Sequence, residues 1–240
     1  MAARSDPLVA DPGIGLLAQS IRAVVGVFPF VLGTAVLAMI FSGYALDGTA
    51  AGVIATLAAI LAEALLFHAT CVYVLSEGAV RGLDILRQGR GNALLPVVGG
   101  YALLLLVIEL PVALSAPATG DEASSYTTVA VFAALVHVAF LARYGTVFPA
   151  MIVSDDPALS AAAKRARFWP VLWRLLAAVL LPTVVLSLLM LALVFLSLPG
   201  GFGQSSGLGM LAELVISIVI AAVTVATAVI LCNACRGVYR

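Results

Sequence analysis

Six long apolar runs alternate with shorter, more polar connections along this chain. The runs cover residues 28–44, 51–75, 94–114, 127–153, 171–196 and 208–232. Because a helix rises about 1.5 Å per residue, runs of this length can cross a hydrocarbon layer of about 30 Å. The pattern predicts an all-α polytopic membrane protein, a single domain over residues 1–240 with six transmembrane helices.

The composition agrees with a membrane environment. Hydrophobic residues make up 63% of the 240 positions and charged residues 10%, whereas a soluble domain is about half apolar and about a quarter charged. A soluble fold of this length has too little interior for so much apolar side chain. The formal net charge is zero, which offers no basic surface to nucleic acid, so we expect no nucleic-acid partner.

The positive charges lie on one side of the predicted membrane. None of the twelve Lys and Arg residues falls in the links at 45–50, 115–126 and 197–207. Cytoplasmic connections carry the excess of Lys and Arg in membrane proteins, so the other side, with both termini, is predicted to be cytoplasmic. Eleven of the twelve are arginine in a chain rich in Ala, Leu and Val, a composition that suggests a GC-rich bacterial genome. Together with the predicted spans, it leads us to expect a protein of a bacterial plasma (inner) membrane.

The positively charged side also contains segments with the pattern of amphipathic helices. In residues 11–28, Asp11 is a suitable N-cap and Pro12 a suitable first helical residue, and the apolar positions follow helical spacing. Asp156-Pro157 begins a second such segment, and we expect residues 157–168 to form a helix parallel to the membrane plane. A weaker third segment begins at Glu77-Gly78. We expect these helices to lie in the cytoplasmic interface.

These repeats suggest three modules, 11–75, 77–153 and 156–235, each an interfacial helix followed by a helical hairpin. The alternative is that cytoplasmic connections are generally amphipathic and that the Asp-Pro recurrence is chance. In either case, basic side chains on these segments are candidates for binding anionic lipid headgroups at the cytoplasmic face. The candidates are Arg22, Arg81, Arg87, Lys164, Arg165 and Arg167.

Polar residues inside the apolar runs form a second candidate site. Glu63 and His137 lie about midway along the second and fourth runs, and Thr56 and Thr70 lie seven positions either side of Glu63 on one helix face. A carboxylate in hydrocarbon is costly, and three polar groups are unlikely to share a face turned to lipid, so we expect Glu63 to point into the bundle, toward the fourth span. The site is either a proton or ion relay or a polar contact that holds helices together.

His68 and Arg143 lie nearer the cytoplasmic ends of the same two runs. If those spans touch, His68 would be level with Arg143. Arg143 has two interpretations. It marks the membrane boundary by extending its charged end into water, or the fourth span continues to Val153 and Arg143 pairs inside the bundle. Gly145 and Pro149 would allow a bend there.

Familiar catalytic and metal-binding patterns give little support for an enzyme. The three cysteines, Cys71, Cys232 and Cys235, are too few for a disulfide framework, and Cys232-Asn-Ala-Cys235 has no second pair or nearby histidine for a metal site. Residues 203–207 match G-x-S-x-G, but both histidines precede them, so a flexible turn is the better interpretation. We expect a non-catalytic protein with no cofactor and no metal.

One window resembles a known membrane domain. Its features are Arg143, Pro149-Ala150, Asp155-Asp156, Ala158-Leu159, Lys164-Arg165 and Trp173-Arg174. In this order they resemble the membrane domain associated with glycerophosphodiester phosphodiesterases, as do residues 78–91 before the third run. A serine common after the basic pair of that family is replaced here by Ala166 and Arg167. Because the family's phosphodiesterase activity belongs to a separate soluble domain, the resemblance implies a six-span fold and a membrane location, and no catalytic residue.

Two functions follow as expectations. The first is a non-catalytic integral membrane protein that organises anionic lipids or a membrane protein partner. The alternative is a transporter or permease subunit for a small solute, with Glu63 and His137 as a polar relay. Residues 161–182 are similar to the coupling helix of permeases of ATP-driven importers, although the Glu and Gly of that helix are absent.

Overall fold

The long apolar runs fold into helices that pack side by side. The computed structural model describes residues 15–42, 50–88, 91–114, 123–153, 157–165, 167–197 and 207–237. Every regular element in these ranges is an α-helix. In chain order they are α1 (Leu16–Gly26), α2 (Phe28–Ser42), α3 (Ala50–Leu75), α4 (Asp84–Gln88), α5 (Gly91–Leu114), α6 (Ala123–Tyr144), α7 (Val147–Val153), α8 (Leu159–Arg165), α9 (Phe168–Ser197) and α10 (Gly207–Cys235).

The all-α prediction is confirmed for these residues, and each of the six apolar runs contains a long helix. Two stretches, Ala51–Leu75 and Glu213–Cys235, are long and apolar enough to cross a membrane alone. Two bent pairs, α1 with α2 and α6 with α7, would bring the number of such spans to four, while α5 and α9 contribute shorter apolar helices. The described part of the chain is therefore helical, with helices long and apolar enough to span a membrane, and six spans remain a prediction.

The fourth run is bent, as Gly145 and Pro149 suggested. The helix breaks at Gly145 and Thr146, and α7 departs from α6 by 41°. Pro149 has no N–H to donate to the carbonyl of Gly145, so the regular ladder is interrupted there. That carbonyl accepts the N–H of Phe148 instead, at 3.3 Å. The bend directs α7 into the protein core, where most of its residues are buried.

The core lies where α3 and α10 approach their C-terminal ends. Every residue from 66 to 74 and from 227 to 234 is buried. A helix buried all round belongs at the centre of a bundle, and α10 packs against α1, α2, α3, α7, α8 and α9. Arg236 fixes the relative position of the two ends, because its Nη2 donates to the carbonyls of Val74 and Leu75 at 2.9 and 3.0 Å. These carbonyls have no partner within α3, as at any helix C-terminus.

Three short helices, α1, α4 and α8, lie around this end of the bundle; we call them the collar, and this end the collar end. Helix α1 contacts α3 and α10, α4 contacts α3, and α8 contacts α10. Asn233 Nδ2 donates to Gln19 Oε1 of α1 at 2.7 Å, and Thr146 Oγ1 donates to the carbonyl of Ala162 in α8 at 3.1 Å. Polar side chains thus attach the collar to the buried core.

Helix α1 turns sharply before the first long helix. Its axis makes an angle of 83° with α2, so an α2 that crosses a membrane places α1 close to the membrane plane. The buried face of α1 carries Ser20, Ala23 and Gly26. The helix begins after Gly15, whereas the predicted cap and first residue, Asp11 and Pro12, lie outside the described residues.

The predicted start of the third interfacial segment is wrong. Glu77-Gly78 ends α3 rather than opening a helix, because Glu77 and Gly78 have φ values of 56° and 76°. The N–H of Gly78 donates to the carbonyl of Tyr73 at 2.9 Å and that of Glu77 to Val74 at 3.1 Å, which is a Schellman C-terminus. Helix α4 begins only at Asp84 and has 5 residues. Of the apolar residues in this segment, Leu83 and Leu86 are exposed and Val80 is half-buried.

The second interfacial segment is shorter than predicted. Residues 157 and 158 are not helical, so Pro157 precedes α8 rather than starting it, and the predicted cap Asp156 lies outside the described residues. Helix α8 covers Leu159–Arg165, and α9 begins separately at Phe168. That α8 lies parallel to the membrane plane stays a prediction, as does the division of the chain into three modules.

We expect Gly26→Ala to destabilise the protein, because a Cβ at this position would overlap the ring of Tyr73. Overpacking of a well-filled site costs about 1–3 kcal/mol. Gly33→Ala is the matched control, since a Cβ there meets nothing within 4 Å. In a helix interior, alanine is also more favourable than glycine by about 1 kcal/mol. Thermal unfolding in detergent should give a lower midpoint for Gly26→Ala than for Gly33→Ala. Equal midpoints would contradict this packing.

Candidate functional site

A half-open, mostly apolar cavity with a few polar side chains lies between the long helices, at about the middle of α3; we call it the midbundle cavity. It has a volume of about 180 Å³ and receives side chains from α3, α5, α6, α9 and α10. Its polar members are Glu63, Tyr101, His137, Thr224 and Thr227. The remaining wall is apolar and consists of Ala134, Val138, Leu141, Leu175, Val179 and Val223.

The hydrogen bond that holds Glu63 in the cavity comes from α10, in the sixth apolar run, rather than from α6, in the fourth. Thr224 Oγ1 of α10 donates a hydrogen bond of 2.9 Å to Glu63 Oε1, although 161 positions separate the two residues. His137 of α6 lines the same cavity. The structure therefore brings Glu63 and His137 to one space between helices, with Thr224 as the hydrogen-bond donor that the sequence analysis did not identify.

The two threonines on the face of Glu63 are satisfied within their own helix. Thr56 donates to the carbonyl of Gly52 at 3.0 Å, and Thr70 donates to the carbonyl of Leu66 at 2.8 Å. Hydroxyls in apolar helices commonly bond to the carbonyl four residues earlier. These side chains therefore do not extend the cavity along α3, and Glu63 supplies the polar group of this face that bonds to another helix.

Three aromatic rings pack beside the cavity, on its collar side. Phe67, one turn beyond Glu63, stacks on Tyr101 with ring centroids 4.1 Å apart, and Phe148 of α7 meets these two rings edge-on at 5.7 and 5.6 Å. Tyr101 also faces the ring of His137 at 6.5 Å. The bend before α7 thus completes an aromatic layer between the cavity and the collar end.

Sequence reasoning missed Tyr101, Thr224 and Thr227. The signals available were weak: a tyrosine inside an apolar run, directly after Gly99-Gly100, and two hydroxyls three positions apart in the last run. Positions three apart on a helix share a face. Thr224 and Thr227 could therefore have been grouped as a polar stripe, but nothing in the sequence indicated that this stripe would meet Glu63.

His68 and Arg143 are not brought together as a buried pair. The His68 side chain is 1% exposed, and neither ring nitrogen has a hydrogen-bond partner among the described residues. Arg143 is exposed at the end of α6. This exposure favours the interpretation that Arg143 marks a membrane boundary over the interpretation that it pairs inside the bundle.

The candidate headgroup-binding residues lie on or beside the collar. Arg22 is half-buried on α1, while Arg81, Lys164 and Arg167 are exposed. Arg81 Nε donates to the carbonyl of Gly78 at 2.9 Å, so part of its guanidinium supports the turn after α3. Arg87 and Arg165 belong to α4 and α8, but their side chains lie outside the described part.

The cysteines do not assemble a metal centre in the part of the chain that is described. Cys71 and Cys232 are buried and Cys235 is half-buried, and the three form no disulfide with one another. Among the described residues, no group of three or more His, Cys, Asp or Glu side chains is arranged to hold a metal ion.

Comparison with protein-family models, curated proteins and solved structures finds no match to this chain. The resemblance to the membrane domain associated with glycerophosphodiester phosphodiesterases therefore stays a prediction from two short windows.

We expect Thr224→Val to lower the free energy of unfolding by about 1–3 kcal/mol, because it removes the donor to a carboxylate within the bundle. Thr70→Val is the matched control: its hydroxyl bonds only within α3, so the loss should be smaller. Denaturation in detergent, followed by circular dichroism, measures both. If Thr224→Val costs the same in a Glu63→Leu background, the bond between Thr224 and Glu63 does not contribute.

Proposed function

We propose that this chain is a non-catalytic, multi-pass protein of a bacterial inner membrane that organises anionic lipids at the cytoplasmic leaflet. In this proposal six helices cross the bilayer and both termini are cytoplasmic. The observation that carries it is the geometry of the collar, because α1 turns 83° from α2 and keeps apolar side chains exposed. Nothing in the proposal requires a reaction at the collar.

The exposed apolar side chains of the collar end support contact with lipid. Leu17 and Val25 of α1 are 70% and 71% exposed, and Trp169 and Trp173 at the start of α9 are each 65% exposed. Such side chains are costly in water and favourable at the boundary between headgroups and acyl chains. Tryptophan is enriched at this boundary, which supports placing the start of α9 there.

Basic side chains beside this apolar surface support a preference for anionic lipid. Lys164 and Arg167 are exposed on either side of the end of α8, and Arg22 lies on α1 beside Ile21. A Lys or Arg near an anionic membrane surface contributes about 1 kcal/mol of attraction. Several such residues, held at fixed positions by the collar, would gather anionic headgroups around the bundle.

The midbundle cavity favours a second candidate function, the movement of a small solute across the membrane. Polar side chains within membrane helices usually face the bundle interior and often mark a substrate or ion path. Here Glu63 and His137 line one cavity from different helices, which is the arrangement that a relay or carrier would need.

We expect the triple variant Arg22→Gln/Lys164→Gln/Arg167→Gln to retain less anionic phospholipid than the native protein after purification. The three changes remove about 3 kcal/mol of electrostatic attraction in total. Lipid extraction and mass spectrometry would give the ratio of phosphatidylglycerol to phosphatidylethanolamine. The charge-preserving variant Arg22→Lys/Lys164→Arg/Arg167→Lys should keep the native ratio, and an equal ratio in all three proteins would contradict the proposed function.

The proposed topology predicts opposite labelling of two engineered cysteines, in a background with the native cysteines replaced by alanine. Thr119→Cys should react with a membrane-impermeant maleimide in intact cells. Ser160→Cys, which is exposed on α8, should react only after permeabilisation, because the positively charged side is cytoplasmic. Reaction of Ser160→Cys with the maleimide in intact cells would contradict the proposed topology, because it would place α8 outside the cytoplasm.

A further inference from the structure

We propose that the midbundle cavity binds a small organic cation: a primary ammonium group attached to an apolar body about the size of a benzene ring. The inference goes beyond the lipid function and does not rest on the collar. It also needs no transport, because it concerns equilibrium binding at one place in the bundle.

The charge of the lining decides the charge of the ligand. Glu63 is the carboxylate among the residues that line the cavity, and none of the lining residues that the structure describes is Lys or Arg. A carboxylate in apolar surroundings stays ionised at low cost only when a positive group pairs with it, and otherwise takes up a proton. A cationic ligand would supply this charge, whereas an anionic ligand would add a second negative charge.

The hydrogen-bonding capacity of the lining fits an ammonium group. A carboxylate can accept about four hydrogen bonds, and Thr224 supplies one to Glu63. An ammonium group has three N–H donors and no acceptor. The remaining lone pairs of Glu63 and the hydroxyl oxygen of Thr227 offer acceptors from α3 and α10.

Tyr101 gives the lining a fixed aromatic side chain. One face of its ring stacks on Phe67 with centroids 4.1 Å apart, and its centroid lies 6.5 Å from that of His137, with ring planes at 71°. These contacts position the ring before any ligand enters.

The size and the apolar wall define the rest of the ligand. The cavity volume is about 180 Å³, and an apolar cavity of about 150 Å³ can hold benzene. Val138, Leu175 and Val179 offer no polar group to such a body. A calcium ion fits poorly, because Ca²⁺ requires about six to eight oxygen ligands and the side chains of the lining offer oxygen only from Glu63, Tyr101 and two threonines.

Isothermal titration calorimetry would test the proposal on the full-length protein in nanodiscs of zwitterionic phosphatidylcholine. The probes are benzylammonium chloride, benzyl alcohol and sodium benzoate, which share a ring and differ in charge. We expect saturable binding of benzylammonium, corrected for empty nanodiscs. The alcohol and the benzoate should bind at least about tenfold more weakly, because they lack the charge that pairs with Glu63.

Two cavity variants and one control make the result specific. Glu63→Gln keeps an acceptor for Thr224 and should weaken benzylammonium binding by at least about tenfold, with little change for benzyl alcohol. Val179→Phe fills the cavity from α9, leaves the carboxylate in place and should also remove binding. Glu213→Gln changes an exposed carboxylate of the same bundle and should bind benzylammonium as the native protein does.

Several results would overturn the proposal. These are the absence of saturable benzylammonium binding to the native protein, equal affinity for benzyl alcohol, and tighter binding of benzoate. Native affinity in both Glu63→Gln and Val179→Phe would place the cation elsewhere. None of these results bears on lipid retention by the collar, which is measured separately on the purified protein.

Discussion

The packing of α3 against α10 near their C-terminal ends is the contact on which the other elements depend. Both helices are buried all round there, and Arg236, directly after α10, donates to the last two carbonyls of α3. Helices α1, α2 and α7 contact both of them. A displacement of this pair would therefore disturb the collar, the bend of α7 and the midbundle cavity together.

Because water is scarce within the bundle, polar groups there take their hydrogen-bond partners from the protein. Thr56 and Thr70 satisfy their hydroxyls by bonding to carbonyls of α3, which requires no other helix. Glu63 has no comparable local solution and takes its donor from α10. Glu63 also lines the midbundle cavity, the space that the proposed organic cation would occupy.

The collar and the cavity occupy different depths of the same bundle. The aromatic layer of Phe67, Tyr101 and Phe148 lies between them, and Phe148 reaches it because the chain bends before α7. A surface that gathers lipid at one end and a binding site near the middle can therefore exist in one protein, and each can be altered by substitution without touching the other.

The positions of the long helices follow from the sequence, because apolar length and helical spacing are local properties. The bend at Gly145 and Pro149 could be predicted for the same reason. Glu77-Gly78 was wrongly predicted to start a helix, whereas its left-handed backbone ends one. The sequence also identified Glu63 and His137 as polar residues at similar depth. Only the tertiary structure decided that Thr224 bonds Glu63 and that His137 lies across a cavity from it. Lipid tails are as apolar as leucine, so hydrophobicity places a helix in the membrane but does not choose its neighbours, which depend on close packing and on interhelical hydrogen bonds.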